Sequence, residues 1–137
     1  MVSRKGGGGG SPSLRPMLRD IAQTIYQDHL RRAGKVRWGD KTPGYIKIAQ
    51  PLAAMFPDAR FIHIFRDGRD VAKSFQAVGW FGPWLHANTR QWTEAIDWNS
   101  RLSRSEIAGR IFQLRYEDLV LEPEATLRKV CAFLEEE

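Results

Sequence analysis

Cysteine is almost missing from this sequence, with Cys131 standing alone. An intrachain disulfide and a cysteine-based zinc site are therefore excluded. The thiol lies within Val130-Cys131-Ala132-Phe133-Leu134, which reads as a packed core position rather than that of a nucleophile. Histidine is also scarce, and the three histidines fall on separate elements without ligand spacing, so no metal site is expected. No run of about 18 apolar residues exists, and no apolar stretch of the export type opens the chain. The expectation is a soluble, cytoplasmic protein without a membrane span.

What is present suits one globular domain: 137 residues, 42% of them hydrophobic, are enough for a core and too few for two ordinary domains. A net charge of +5 suits an anionic partner, whether nucleic acid, acidic headgroup or phosphorylated nucleotide, and does not choose among them. Residues 1–13 combine Arg4, Lys5, five consecutive glycines and Ser11-Pro12-Ser13, a composition expected to form a flexible tail. The glycines are not a phosphate loop, which needs a strand before it and a Lys-Ser/Thr and a helix after it.

Leu14, Met17, Leu18, Ile21, Ile25 and Leu30 recur at helical spacing, which predicts an amphipathic helix over residues 14–33, stopped by Gly34. Trp38-Gly39-Asp40-Lys41-Thr42-Pro43 reads as a loop presenting Lys41, because Pro43 biases Thr42 away from helix. A helical pattern over residues 45–56 contains Pro51, which either kinks the helix or opens its second half. It feeds a strand over residues 60–65, the spacing of a parallel α/β sheet. His63 in that strand reads as a covered core residue rather than a base.

A helix to about residue 78 follows, then an aromatic loop at residues 79–84, read either as pocket lining or as folded onto the core. A long helix is predicted from about 88 to 107 and a second core strand at 109–115, with Tyr116-Glu117-Asp118-Leu119 at its carboxyl end. Glu117 and Asp118 are read as caps of the turn that follows. Pro123 opens a last helix that runs into three glutamates without a C-cap.

The stretch Phe61-Ile62-His63-Ile64-Phe65-Arg66-Asp67-Gly68-Arg69-Asp70-Val71-Ala72-Lys73-Ser74 organises the rest. It predicts a buried strand running through a tight turn into a helix, with Asp67 at N-cap and Asp70 at N3. Backbone N–H groups and an arginine delivered to a helix start make an anion site. The same pattern equally describes an ordinary βα unit, with Arg69 a solvated charge and Ser74 an interior serine.

Arg66 followed by Ser74 on a strand-turn-helix resembles the 3′-phosphate motif of sulfotransferases that use 3′-phosphoadenosine 5′-phosphosulfate (PAPS). With Asp40-Lys41-Thr42-Pro43 upstream and Arg115-Tyr116-Glu117-Asp118-Leu119 downstream, the sequence is similar to the bacterial and tyrosylprotein-type branch over residues 14–134. The resemblance implies an α/β, P-loop-NTPase-like domain with a short parallel sheet flanked by helices. It implies that Arg66 and Ser74 hold the 3′-phosphate, Tyr116 contacts the adenine, and Lys41 stabilises charge on the leaving phosphate. The acceptor would be a small-molecule or protein hydroxyl, or an amine, with no nucleic-acid partner and no metal.

Residues 14–137 supply no counterpart of the family's N-terminal phosphosulfate loop or C-terminal glycine-rich element, so a partial domain is expected. Pro43 stands where cytosolic members carry a histidine, which fits the branch whose base is a carboxylate elsewhere. The alternatives are a non-catalytic remnant that binds adenosine 3′,5′-bisphosphate and, further off, a basic nucleic-acid-binding module.

Overall fold

The computed structural model describes residues 14–78 and 84–136. The chain divides into two compact units, Met1–Lys41 and Thr42–Glu137. The glycine-rich segment lies outside the described residues, as does the aromatic loop except for Trp84, which is exposed.

In the first unit, helix α1 spans Leu14–Ala33 and ends at Gly34, whose φ of 62° is a left-handed conformation open to glycine at little cost. Lys35 N–H closes the end by donating to Leu30 O at 3.0 Å. The apolar stripe is present, but Leu14, Met17, Leu18, Ile21 and Ile25 are all 47% exposed or more, and no residue of α1 is buried. Tyr26 stacks on Trp38 at 3.9 Å between ring centroids, and its hydroxyl donates to Asp40 at 3.3 Å. This folds the segment after α1 back along it.

The second unit opens with a 3-10 turn, Pro43–Ile48, and then α2, Ala49–Met55. Pro51 is the third residue of α2, where no intrahelical donor is required, so the proline opens this helix rather than kinking one. Strand β1 (Phe61–Phe65) pairs in parallel with β2 (Ile111–Arg115), in register from Phe61↔Ile111 to Phe65↔Arg115. Parallel neighbours need a crossover, which α3 (Gly68–Val78) and α4 (Leu85–Leu102) supply. After β2 come α5 (Tyr116–Leu121) and α6 (Pro123–Leu134). The core gathers Ala49, Ala53, Ala72, Leu102, Leu114 and Val130, with buried Thr126 donating its hydroxyl to Asp118 O at 3.0 Å.

Four expectations need correction. Helix α4 stops at Leu102 because serine hydroxyls compete for its last carbonyls: Ser103 Oγ donates to Asn99 O at 2.9 Å and Ser105 Oγ to Leu102 O at 2.7 Å. Strand β2 begins at Ile111, since residues 108–110 form a 3-10 turn. Helix α6 does have a cap: Glu135 takes a left-handed φ of 58°, and Glu136 N–H donates to Cys131 O at 2.9 Å. The Arg60 guanidinium binds both Phe133 O and the Glu135 carboxylate, which offsets the cost of that conformation for a residue with a Cβ. Cys131 is half-buried on α6 rather than enclosed in the core.

His63 is half-buried in β1, its ring 5.9 Å from that of Phe65. Burial pushes its pKa below the ordinary value, and the neighbouring Asn99 side chain partly opposes the shift. No helix among the described residues is long and apolar enough to cross a membrane.

Candidate functional site

The sheet register builds the site. Phe65↔Arg115 is the last pair, so the residues that follow, Arg66 and Tyr116, leave the two strands side by side. The Arg66 guanidinium carbon lies 4.8 Å from the centre of the Tyr116 ring, within cation–π range. Tyr116 is 40% exposed and the Arg66 side chain 38%. Arg66 pairs with Asp70 one helical turn on, at a long 3.4 Å, and its Nε is buried without a hydrogen-bond partner. A cation with an unused donor thus stands against a half-exposed aromatic ring.

The start of α3 differs from the sequence expectation of backbone amides aimed at a ligand. Asp67 Oδ1 accepts from Arg69 N–H at 2.8 Å, and the same carboxylate is clasped by the Arg69 guanidinium at 3.0 and 2.7 Å. Those bonds, led by the guanidinium contact, hold the Asp67 carboxyl well below the usual carboxylate range. Asp67 N–H donates to Glu117 Oε1 at 2.8 Å, and this backbone bond is the main cause of a lowered Glu117 pKa. Asp70 and Val71 N–H both donate to Asp67 O, at 3.1 and 3.0 Å. Carboxylates and a carbonyl therefore occupy the N–H groups of Asp67, Arg69, Asp70 and Val71.

One reading changes with this, while Arg69 remains a solvated charge, 88% exposed, though paired with Asp67. Glu117 caps the turn after β1 instead of the one that follows it, because the parallel register places residue 117 beside residue 67.

Ser74 is exposed on α3. Residues 66, 70 and 74 are four apart, so Ser74 shares a helix face with Asp70, the partner of Arg66. Lys41 is exposed at the end of the first unit. Sequence reasoning missed Trp92, whose Nε1–H donates to Arg66 O at 2.8 Å. Its ring fills the space beside Gly68, where a Cβ would meet Trp92 Cδ2 at 2.8 Å. The glycine two residues after Arg66 was the available signal.

A surface depression of about 750 Å³ lies elsewhere, lined by Trp84, His86, Thr89, Arg90 and Thr93 at the start of α4. Among the described residues no group of three or more His, Cys, Asp or Glu side chains is placed to hold a metal ion.

A family model described as the sulfotransferase family matches residues 10–137. The chain belongs to the sulfotransferase family. A protein-tyrosine sulfotransferase of Drosophila melanogaster is 28% identical to it over 101 residues, which are 70% of this chain and 20% of that relative. Among solved structures, the sulfotransferase domain from the curacin biosynthetic pathway superposes with a TM-score of 0.68 at 27% identity, covering 84% of this chain and 44% of that domain. The chain thus spans a fifth of the curated relative and less than half of the solved domain. Its α/β architecture, a short parallel sheet flanked by helices, matches a sulfotransferase domain.

Proposed function

We propose that this sulfotransferase chain takes part in moving a sulfuryl group from PAPS to a hydroxyl or amine acceptor, and that its own contribution is the adenosine 3′-phosphate side of the donor site. The observation that carries this is the Arg66 guanidinium lying over the half-exposed Tyr116 ring, with Arg66 Nε buried and unpartnered. Those two side chains offer an anion a delocalised charge with spare donors, and offer a purine an apolar face with a polar tip. They therefore fit a phosphorylated nucleoside.

In this reading Arg66 makes charge-assisted hydrogen bonds to the 3′-phosphate, for which its long ion pair with Asp70 is readily exchanged. Ser74 adds a hydroxyl bond from the same helix face. Tyr116 supplies ring area and a hydroxyl to the adenine. Lys41, in the first unit, keeps the role that the family resemblance implies, stabilising charge on the leaving phosphate. When bound, PAPS supplies an activated sulfuryl group and a good leaving group. The protein-tyrosine sulfotransferase relative supports a hydroxyl acceptor.

Calorimetry with adenosine 3′,5′-bisphosphate tests the assignment. Arg66→Ala is expected to weaken binding by about 1.5 to 3 kcal/mol, the range for a hydrogen bond to a charged group. Affinity unchanged by that substitution overturns the site. A sulfate-transfer assay with phenolic and carbohydrate acceptors then separates turnover from binding alone.

A further inference from the structure

The peptide group that joins Arg66 to Asp67 is held at both of its polar atoms. Its carbonyl accepts the Trp92 Nε1–H at 2.8 Å, and its amide donates to Glu117 Oε1 at 2.8 Å. The two partners belong to different elements, Trp92 to α4 and Glu117 to α5. A peptide group is planar, with its C=O and N–H pointing in opposite directions in the usual trans form. Fixing both atoms therefore fixes the plane from two sides, and with it ψ of Arg66 and φ of Asp67.

Arg66 lies outside regular structure, between the last residue of β1 and the first of α3, where no sheet or helix ladder would otherwise set its backbone. Both bonds are partly buried, which strengthens them relative to water-exposed ones. The Trp92 ring against Gly68 adds a steric stop at the same turn.

We infer that Trp92 and Glu117 are positioning residues for Arg66, acting on the backbone from which its guanidinium projects rather than on the ligand. The inference rests on the proposed role of Arg66 in holding a 3′-phosphate. It assigns work to one residue from the Tyr116-Glu117 stretch and to a tryptophan on the crossover helix. It also explains why the turn after β1 accepts a carboxylate from the neighbouring strand's end. Tyr116 and Glu117 then cooperate: one ring lies beside the guanidinium, and the next residue holds the peptide that aims it.

The test uses the full chain, four single variants, Trp92→Phe, Glu117→Ala, Glu117→Gln and Arg66→Ala, and the Arg66→Ala/Glu117→Ala double variant. Trp92→Phe keeps a ring beside Gly68 and removes the N–H, and Glu117→Gln keeps an acceptor. The first readout needs no ligand: solvent exchange of the Arg66 Nε–H, followed by nitrogen-15 NMR, is slow while that atom is buried. It is expected to quicken about tenfold in Trp92→Phe and Glu117→Ala, the equivalent of one ordinary hydrogen bond, and to stay near wild type in Glu117→Gln.

The second readout is affinity for adenosine 3′,5′-bisphosphate. The same two variants are expected to lose about tenfold, Glu117→Gln little, and Glu117→Ala nothing further once Arg66 is alanine. Unchanged exchange in folded Trp92→Phe and Glu117→Ala overturns the inference, as does an affinity loss that persists in full in the Arg66→Ala background. A wild-type chain that binds no bisphosphate overturns the proposed function instead, and the exchange readout still decides the positioning role. If Glu117→Ala does not fold, Glu117→Met, which keeps the stem without the acceptor, carries the same expectation.

Discussion

Two arginines stand at opposite ends of the same two-stranded sheet, each beside an aromatic ring, and they are used differently. At the amino ends, Arg110 makes four hydrogen bonds to the carbonyls of Ala53, Phe56 and Ala59, at 2.7 to 3.2 Å, and lies 5.9 Å from the Phe61 ring. Its guanidinium ties the end of α2 and the following turn to the start of β2. At the carboxyl ends, Arg66 has one long ion pair, a ring 4.8 Å away and an unpartnered Nε. The saturated arginine is a structural clamp, whereas the unsaturated one keeps donors unused, as the proposed 3′-phosphate role requires. Being next to an aromatic ring does not separate the two roles; the number of donors already engaged does.

The largest expected effect breaks the clamp. Arg110→Ala removes the guanidinium from three backbone carbonyls, of which Phe56 O keeps the Ala59 N–H, and is expected to destabilise the fold by on the order of 3 kcal/mol, read as a lower urea midpoint. The folded fraction should bind adenosine 3′,5′-bisphosphate as wild type does. Arg66→Ala should invert this pattern, costing about 1 kcal/mol or less in stability, because a partly exposed ion pair and a cation–π contact contribute little. Equal stability losses in the two variants would remove the distinction between them.

The parts of this arrangement legible in the sequence are those fixed by near neighbours. Asp67 as a helix cap, Gly34 as a stop and Phe61–Phe65 as a strand depend on residues within a turn of themselves. Arg66 and Tyr116 each stood out in a motif, but their contact depends on the register of two strands. The contacts of Glu117, Trp92 and Arg110 span 50, 26 and 51 to 57 residues. No local spacing encodes such pairings. The end of α4 and the Glu135 cap were hidden for a different reason: a serine hydroxyl taking a helix carbonyl and a glutamate at positive φ both run against ordinary preference, and Arg60 supplies the support for the second.

A smaller effect sharpens the ligand side of the comparison. Ser74 is exposed and stands one turn beyond Asp70, so Ser74→Ala should leave the urea midpoint within experimental error. Its loss in bisphosphate affinity should be about 0.5 to 1.5 kcal/mol, the value of a neutral hydrogen bond and below that of Arg66→Ala. A loss equal to that of Arg66→Ala would mean that charge is not what separates their contributions.

The smallest effect comes from acid, which titrates carboxylates beside Arg66 but no acceptor of Arg110. Glu117 and Asp67 have ordinary pKa values of 4.5 and 3.8, and both are lowered in the folded chain by hydrogen bonds that favour the carboxylate. Below those ordinary values the unfolded chain takes up protons that the folded chain refuses, so stability is fully present above about 4.5 and falls as pH drops further. His63 acts in a separate and higher window: burial favours its neutral form, so its contribution is present above 6.5 and declines below it. The acceptors of Arg110 are carbonyls and do not titrate. Urea midpoints measured from pH 6 down to 3 should therefore decline less steeply below 4.5 in Glu117→Gln, while Arg110→Ala lowers the whole curve without changing its slope. A steeper acid response in Glu117→Gln than in wild type would show that the bond from Asp67 N–H to the carboxylate is not what the acid removes.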